Sequence, residues 1–281
     1  MSDQIQFTLT VDEGKWLIAK ATMEIDIVKR ALKEGKIILK GGTTVSCVAE
    51  ILTGSPLKIS GRVTPNGTKS MKAFSDYPHN VLVEGDHAEN IDARLIDELL
   101  QLKSDDVLIT GANIIDTEGN AAMMAGSVLG GNMGKSINTL TTEGFHVFIL
   151  AGLEKLIPGK VSDVLRISGR KRNVYSMGMS CGLFPVFGKV VTEIEALHII
   201  EPGCDVYIIG RGGIQGAQGA TTFAVRGTEN QLQNILKAVC GVKRKGSSGL
   251  AESLIECSFP NENCRTHLGC SYANKNKLRI K

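Results

Sequence analysis

The sequence predicts an α/β protein, a mostly parallel β-sheet assembled from βαβ units with helices on both faces. Three observations predict it. Short apolar runs rich in β-branched residues recur along the chain, at 36–39, 80–84, 106–110 and 146–151. Stretches with apolar residues at helical spacing lie between several of them. Glycine-rich segments follow two of the runs, as they do at the carboxyl ends of buried parallel strands.

Taken in order, Thr10 and Glu13 have the spacing of a capping box. Trp16, Leu17, Ala21, Ile27, Val28, Ala31 and Leu32 follow with a helical rhythm, predicting one long amphipathic helix that ends at Gly35. The run KIILK is then a strand, Gly41 and Gly42 a turn, and Val45, Val48, Ala49 and Leu52 the inward face of a helix that opens at Thr43 and Thr44. Glycine lets a ligand approach the backbone, and the first turn of a helix presents N–H groups carrying partial positive charge, so Gly41 to Thr44 suit a phosphate or another anion. Next, Asn66-Gly67 marks a tight turn after LKISGRV. Residues 80–84 form a strand, 90–102 a helix and 106–110 a strand. The segment GANIIDTEGNAAMMAGSVLGGNMGKS supplies a second loop facing the first.

Beyond it, 136–142 continue as helix, 146–151 as strand, and 163–166 as a strand edge. From Ser168 the periodicity fades into a connection. Residues 193–200, 205–210 and 221–226 then read as three short strands, with a helix over 229–239 whose Leu232, Ile235, Leu236 and Val239 share one face. This predicts three regions: an α/β core over 1–187 bearing the anion-binding loops, a small α+β lid over 188–245, and a cysteine-containing tail over 246–281. GRGGIQGAQGA precedes a strand rather than a helix, so it reads as a hairpin loop and not as a dinucleotide fingerprint.

Bulk composition narrows the function. The chain has 281 residues with 32 basic and 29 acidic side chains, a net charge of +3 too weak to indicate nucleic acid or a membrane surface. Aromatics at 5% show no interleaving with basic residues, which argues against single-strand stacking. MSDQIQFTLT lacks a basic start followed by an apolar run, and no apolar stretch reaches spanning length, so a cytoplasmic protein is expected. Seven cysteines, several inside apolar segments, predict reduced thiols rather than a disulfide scaffold.

The two glycine loops carry a resemblance. KIILKGGTTVSCVAEIL is similar to the phosphate-binding opening of the superfamily of ribose-5-phosphate isomerases, glucosamine-6-phosphate deaminases and CoA-transferases. DVLITGANIIDTEGNAAMMAGSVLGG followed by HVFILAGLEK resembles that superfamily's second loop, helix and next strand. The resemblance spans roughly residues 35–158, and the segment after Lys189 is similar to the ferredoxin-like lid of some of its isomerases. It implies a doubly wound, Rossmann-like core plus that lid, a phosphosugar or CoA-type anion as ligand, an isomerase-like or transferase-like activity, and a homo-oligomer.

Under this resemblance Gly41, Gly42, Thr43 and Thr44 hold the anion together with Gly111, Gly130, Gly131 and Lys135, while Asn113 and Asn120 hydrogen-bond the substrate. Lys155 follows its strand as the family's serine-lysine pair does. Where the isomerases carry an aspartate this chain has Asn113, which keeps the shape but cannot take a proton. The acid candidates are therefore Asp116, Glu118 and Glu84, the last set after a strand as the nucleophilic glutamate of CoA-transferases is. Asn113 equally suits a second reading, a non-catalytic ligand sensor or regulatory subunit. Finally, Cys257, Cys264, His267 and Cys270 are spaced C-x6-C-x2-H-x2-C. That donor set suits Zn or an Fe-S cluster, although the spacing matches no standard zinc finger, so a metal is one alternative and no cofactor is assigned.

Overall fold

The computed structural model describes residues 3–72, 76–258 and 262–273. The chain begins with strand β1 (Asp3–Leu9), followed by helices α1 (Val11–Thr22) and α2 (Asp26–Glu34). The expected capping box is present: Thr10 Oγ1 accepts from Glu13 N, and Glu13 Oε2 accepts from Thr10 N at 2.9 Å. The single long helix expected here is two, interrupted at 23–25, where Ile25 is extended.

Strand β2 (Lys36–Lys40) leads into α3 (Thr43–Thr53). After it come the hairpin β3 (Gly61–Thr64) and β4 (Gly67–Ser70), turning at Asn66-Gly67 as expected, and the hairpin β5 (Asn80–Glu84) and β6 (His87–Asn90). Only Leu95–Leu100 (α4) of the expected 90–102 helix is helical. Next are β7 (Val107–Gly111), the short β8 (Ile114–Ile115), β9 (Ala121–Ala125), and the one-turn helices α5 (Gly131–Lys135) and α6 (Thr139–Thr142). Strand β10 (His146–Leu150) is followed by a 3-10 turn (Leu153–Lys155) and α7 (Val161–Ile167), which is helical where a strand edge was expected.

The remainder comprises β11 (Gly182–Val186), β12 (Lys189–Val191), α8 (Glu193–Ile200), β13 (Asp205–Gly212), β14 (Ala220–Gly227), α9 (Glu229–Cys240) and α10 (Ala251–Leu254). Residues 193–200 are thus a helix and not the expected strand. Thr192 and Glu195 form its capping box, with Glu195 Oε2 accepting from Thr192 N at 2.8 Å.

The fold is mixed α/β, organised on a six-stranded sheet in the order β12-β10-β7-β2-β5-β6. Strands β2, β7, β10 and β12 run parallel; β5 runs antiparallel to them, and β6, antiparallel to β5, returns to their direction. The sheet separates two cores. Ile37 and Leu39 of β2 face one together with Val107, Ile109, Phe148 and Leu150, covered by α1, α3, α8 and α9. Ile38 faces the other with Leu108, Val147 and Ile149. Burial on both faces is why KIIL is a continuous apolar run rather than an alternating one. Each of these side chains contributes about 1.5–3 kcal/mol of burial.

The expected lid over 188–245 is not self-contained. Its first strand, β12, is an edge of the main sheet, and β14 pairs along its length with the N-terminal β1. Phe223, Val225, Leu232 and Ile235 join the same core as Leu17 of α1 and Val45 of α3. Among the described residues no helix is long and apolar enough to cross a membrane.

Candidate functional site

Because β2, β7, β10 and β12 are parallel, their carboxyl ends lie along one edge of the sheet. Lys40 is the last residue of β2 and shares a face with Ile38. The register pairs Leu39 with Ile109, so Thr110 of β7 lies one position on, beside it. Among the described residues, Lys40 Nζ approaches the Gly41 carbonyl oxygen at 3.3 Å and the Met123 Sδ of β9 at 3.4 Å, and no carboxylate. Burial, and then repulsion from Lys155, push this ammonium down from 10.5 to about 8. Lys155 ends the 3-10 turn after β10. Burial lowers its proton affinity too, against the opposing pull of Glu154.

Two carboxylates complete the cluster. Glu193 opens α8 and is only 3% exposed. Its Oε2 accepts from Leu153 N at 2.8 Å, and its Oε1 rests against the backbone of Gly14 in α1, where any side chain would collide with it. Glu154 has both carboxylate oxygens buried without a hydrogen-bond partner. The two side chains converge on Gly152: a Cβ there would strike Glu154 Oε2 and lie 3.0 Å from Glu193 Oε1. Burial, and next the charge of Glu154, raise Glu193 from 4.5 to about 7.

The other side of the edge is set by β5. Asn80 pairs with Lys40, and Gly41 N donates to the His79 carbonyl oxygen at 2.7 Å. The Asp92 carboxylate clamps this corner by accepting from Asn80 N at 2.7 Å and pairing with Lys58 at 3.3 Å. His79 Nδ1 lies 2.7 Å from the Lys58 carbonyl oxygen, an acceptor only, so Nδ1 carries the proton. Burial, then the nearby Lys40, push the imidazole down to about 4, leaving it neutral.

Seven buried side-chain polar atoms among the described residues have no hydrogen-bond partner, and five of them belong to this edge: Thr44 Oγ1, Asn80 Oδ1, Thr110 Oγ1 and both oxygens of Glu154. Such atoms cost about 1–3 kcal/mol each unless something satisfies them, so their concentration at one place makes this edge the candidate site. Gly42 borders it with nothing within 4 Å of the position its Cβ would take, and no side chain caps the start of α3.

The residues expected from sequence divide sharply around this edge. Gly41, Gly42, Thr43, Thr44 and Gly111 lie on it. Gly130 and Gly131 adopt the left-handed conformations that favour glycine, beside the one-turn α5, whose Asn132 Nδ2 donates to the Asp92 carbonyl oxygen at 3.4 Å. Lys135 is exposed.

The three expected acids lie apart from this edge or are engaged within the fold. Asp116 accepts from the backbone amides of Glu118 (3.0 Å), Asn120 (3.0 Å) and Val161 (2.9 Å) and from the Asn120 side chain. Burial works to raise it, but these bonds outweigh burial and hold it below the usual carboxylate range, and its contacts order a turn. Glu118 is exposed and paired with Lys160 at 2.7 Å. Glu84 stands at the far end of the sheet, opposite Lys36 and not Lys40, because β5 is antiparallel to β2. The two amides expected on substrate are committed internally as well: Asn113 Oδ1 accepts from Met124 N at 2.8 Å, and Asn120 serves Asp116. The four tail residues Cys257, Cys264, His267 and Cys270 line one separate cavity.

Lys40, His79, Glu154 and Glu193 are the residues sequence reasoning did not assign. A usable signal existed for two of them. Lys40 is a charge closing an apolar strand directly before paired glycines, and Glu193 directly follows the capping threonine of α8. No family model, no curated protein and no solved structure matches this chain.

Proposed function

We propose that the chain is a small-molecule enzyme of isomerase or transferase type, with its site at the carboxyl edge of the central sheet and a phosphosugar or CoA-type anion as ligand. The observation that carries this is the gathering of partnerless buried polar atoms around two lysines and a carboxyl pair. Lys40, Lys155 and the first amides of α3 receive the anion. The Thr44 and Thr110 hydroxyls bond the substrate. Glu193, titrating near neutrality, gives and takes a proton while Glu154 carries the compensating charge.

Numbered as the chain meets them, the six strands follow the order 3-2-1-4-5-6, with the reversal between β2 and β7 beside Lys40 and Gly111. That is the order of a doubly wound, Rossmann-like sheet, whose ligands sit at the reversal; it supports the resemblance to the sugar-phosphate isomerase and CoA-transferase superfamily and the placing of the site. A homo-oligomer, usual in that superfamily, belongs to the same proposal.

The test is thermal denaturation with phosphosugars, nucleotides and CoA esters on the wild type, Lys40→Met and Gly42→Asp. A ligand that binds only the native state raises its melting temperature. Gly42 has extended backbone and open space around it, so an aspartate fits, caps α3, and places a negative charge where the anion would sit. A shift given by one ligand class and lost in both variants supports the reading; tight binding without turnover turns it toward a sensor. No shift from any class in the wild type overturns it.

A further inference from the structure

The remaining two of the seven partnerless buried atoms are the Nε atoms of Arg62 and Arg170, and both arginines flank a second place in the molecule. Arg62 lies beside Cys257, and Arg170 beside His267. Cys257 and His267 line a small cavity with Cys264 and Cys270, together with Lys69 and Tyr272. It shares no lining residue with the edge of the central sheet.

Different parts of the fold hold these four side chains in place. Cys257 N donates to the Ser70 carbonyl oxygen of β4 at 2.8 Å. Cys270 bridges to Ser176, whose neighbours complete the clip: Ser271 N donates to the Ser176 carbonyl oxygen at 3.1 Å, and Ser180 N to that of Leu268 at 2.9 Å. Arg170 anchors the loop between them by donating to the Thr266 carbonyl oxygen at 2.9 Å. None of the seven cysteines, all of them among the described residues, forms a disulfide. The segment ECSFPNENCRTHLGC contains few apolar residues, so hydrophobic burial alone gives it little reason to fold back onto β4.

We propose that Cys257, Cys264, His267 and Cys270 bind one Zn²⁺, which ties the C-terminal segment to the β3–β4 hairpin and the 176–180 segment. The chemistry of the lining fits. Three thiolates and a neutral imidazole are a complete tetrahedral set for zinc, and no carboxylate lines the cavity to compete. Three thiolates on a divalent ion leave one net negative charge, and the surroundings are cationic. Lys69 sits 3.9 Å from the centre of the Tyr272 ring inside the cavity, with Arg62 and Arg170 at its sides. Among the described residues no three such groups already stand at metal-bonding distance, so binding draws the four side chains inward. Each thiol that binds loses its proton to solvent.

The experiment is elemental analysis of the full chain, purified in reducing buffer without chelator and with any histidine tag removed. Alongside it, cobalt(II) is added to the metal-stripped protein and thiolate-to-cobalt absorption is recorded. The expected result is about one zinc per chain and a strong charge-transfer band. In Cys264→Ser and Cys270→Ser, metal affinity falls by more than the about 10-fold that loss of a supporting partner costs. Cys240→Ser, on the exposed face of α9, keeps both signals. Circular dichroism of each variant separates lost metal from lost fold. A folded wild type that carries no zinc and gives no cobalt band overturns the proposal. Iron with acid-labile sulfide in place of zinc overturns the assignment of the ion, and a disulfide among the four thiols under the same conditions overturns the site.

Discussion

Strand β2 carries a lysine at each end, and the two ends of the molecule treat charge in opposite ways. At the amino end, Lys36 reaches the half-exposed Glu84 at 3.8 Å. The buried Asp106 there is fully used: Oδ1 accepts from Lys36 N and Oδ2 from Lys103 N, both at 2.7 Å. At the carboxyl end, Lys40 is enclosed without a carboxylate partner, Glu154 has no hydrogen bonds to its oxygens, and Glu193 holds its proton to about pH 7. One end is built for stability. The other retains charge that the fold alone would remove, the pattern of a site whose missing partners come from a ligand.

Removing the satisfied carboxylate should have the largest effect on stability. Asp106→Ala strips two backbone amides, those of Lys36 and Lys103, of a buried charged acceptor. At about 1.5–3 kcal/mol for each such bond, roughly 3–6 kcal/mol is expected to be lost. Urea denaturation measures this, and ligand binding at the other end should be unchanged in the protein that remains folded. A loss under about 1 kcal/mol would erase the contrast between the two ends.

Glu193→Gln should act in the opposite direction. The native state holds this proton up to about pH 7, whereas an unfolded glutamate releases it near 4.5. Between those values the native state binds more protons, so its stability falls as pH rises. The full shift corresponds to on the order of 3 kcal/mol. The glutamine variant should therefore lose that slope, gain about 2–3 kcal/mol over the wild type at pH 8, and lose any proton-transfer activity. A wild type whose stability does not fall between pH 4.5 and 7 would place Glu193 among the satisfied carboxylates.

Lys40→Met sharpens the comparison further. Here the native proton affinity is depressed, to about 8 from 10.5, so the unfolded state binds more protons between those values and the wild type gains stability as pH rises through them. Methionine removes that rise. It should stabilise the protein at pH 7 by about 1–2 kcal/mol, part of the full shift being offset by repacking, while anion binding is lost. Greater stability with lost binding is what distinguishes a functional charge from a structural one.

How much of this was legible in the sequence depended on where each signal lay. Strands β2, β5, β7 and β10 and helices α3 and α9 were readable because apolar runs bounded by turn residues leave little choice. Strand β1 was missed because QIQFTL is largely solvent-facing on an outer sheet. Residues 193–200 read as a strand because EIEALHII begins by alternating polar and apolar residues; the capping pair Thr192 and Glu195 decides for helix. The glycine turn at Gly41 and Gly42 was legible as half of a site. The acid was not: Asp116, Glu118 and Glu84 lie in polar turns that advertise them, whereas Glu193 and Glu154 are set among apolar residues and meet only because β10 and β12 are neighbours.

The smallest effect is expected from the acid that sequence placed in the site and the fold did not. Glu84→Gln breaks a long ion pair whose members are 28% and 60% exposed, and pairs of that kind contribute about 0–1 kcal/mol. Stability should change by less than about 0.5 kcal/mol, with the same pH dependence as the wild type and unaltered anion binding, because the antiparallel turn of β5 carries Glu84 away from Gly41. A transferase that used Glu84 as its nucleophile would instead lose all turnover in this variant while Glu193→Gln left turnover intact. That reversal would move the active centre to the amino end of β2, and the charges enclosed at the carboxyl end would need another explanation.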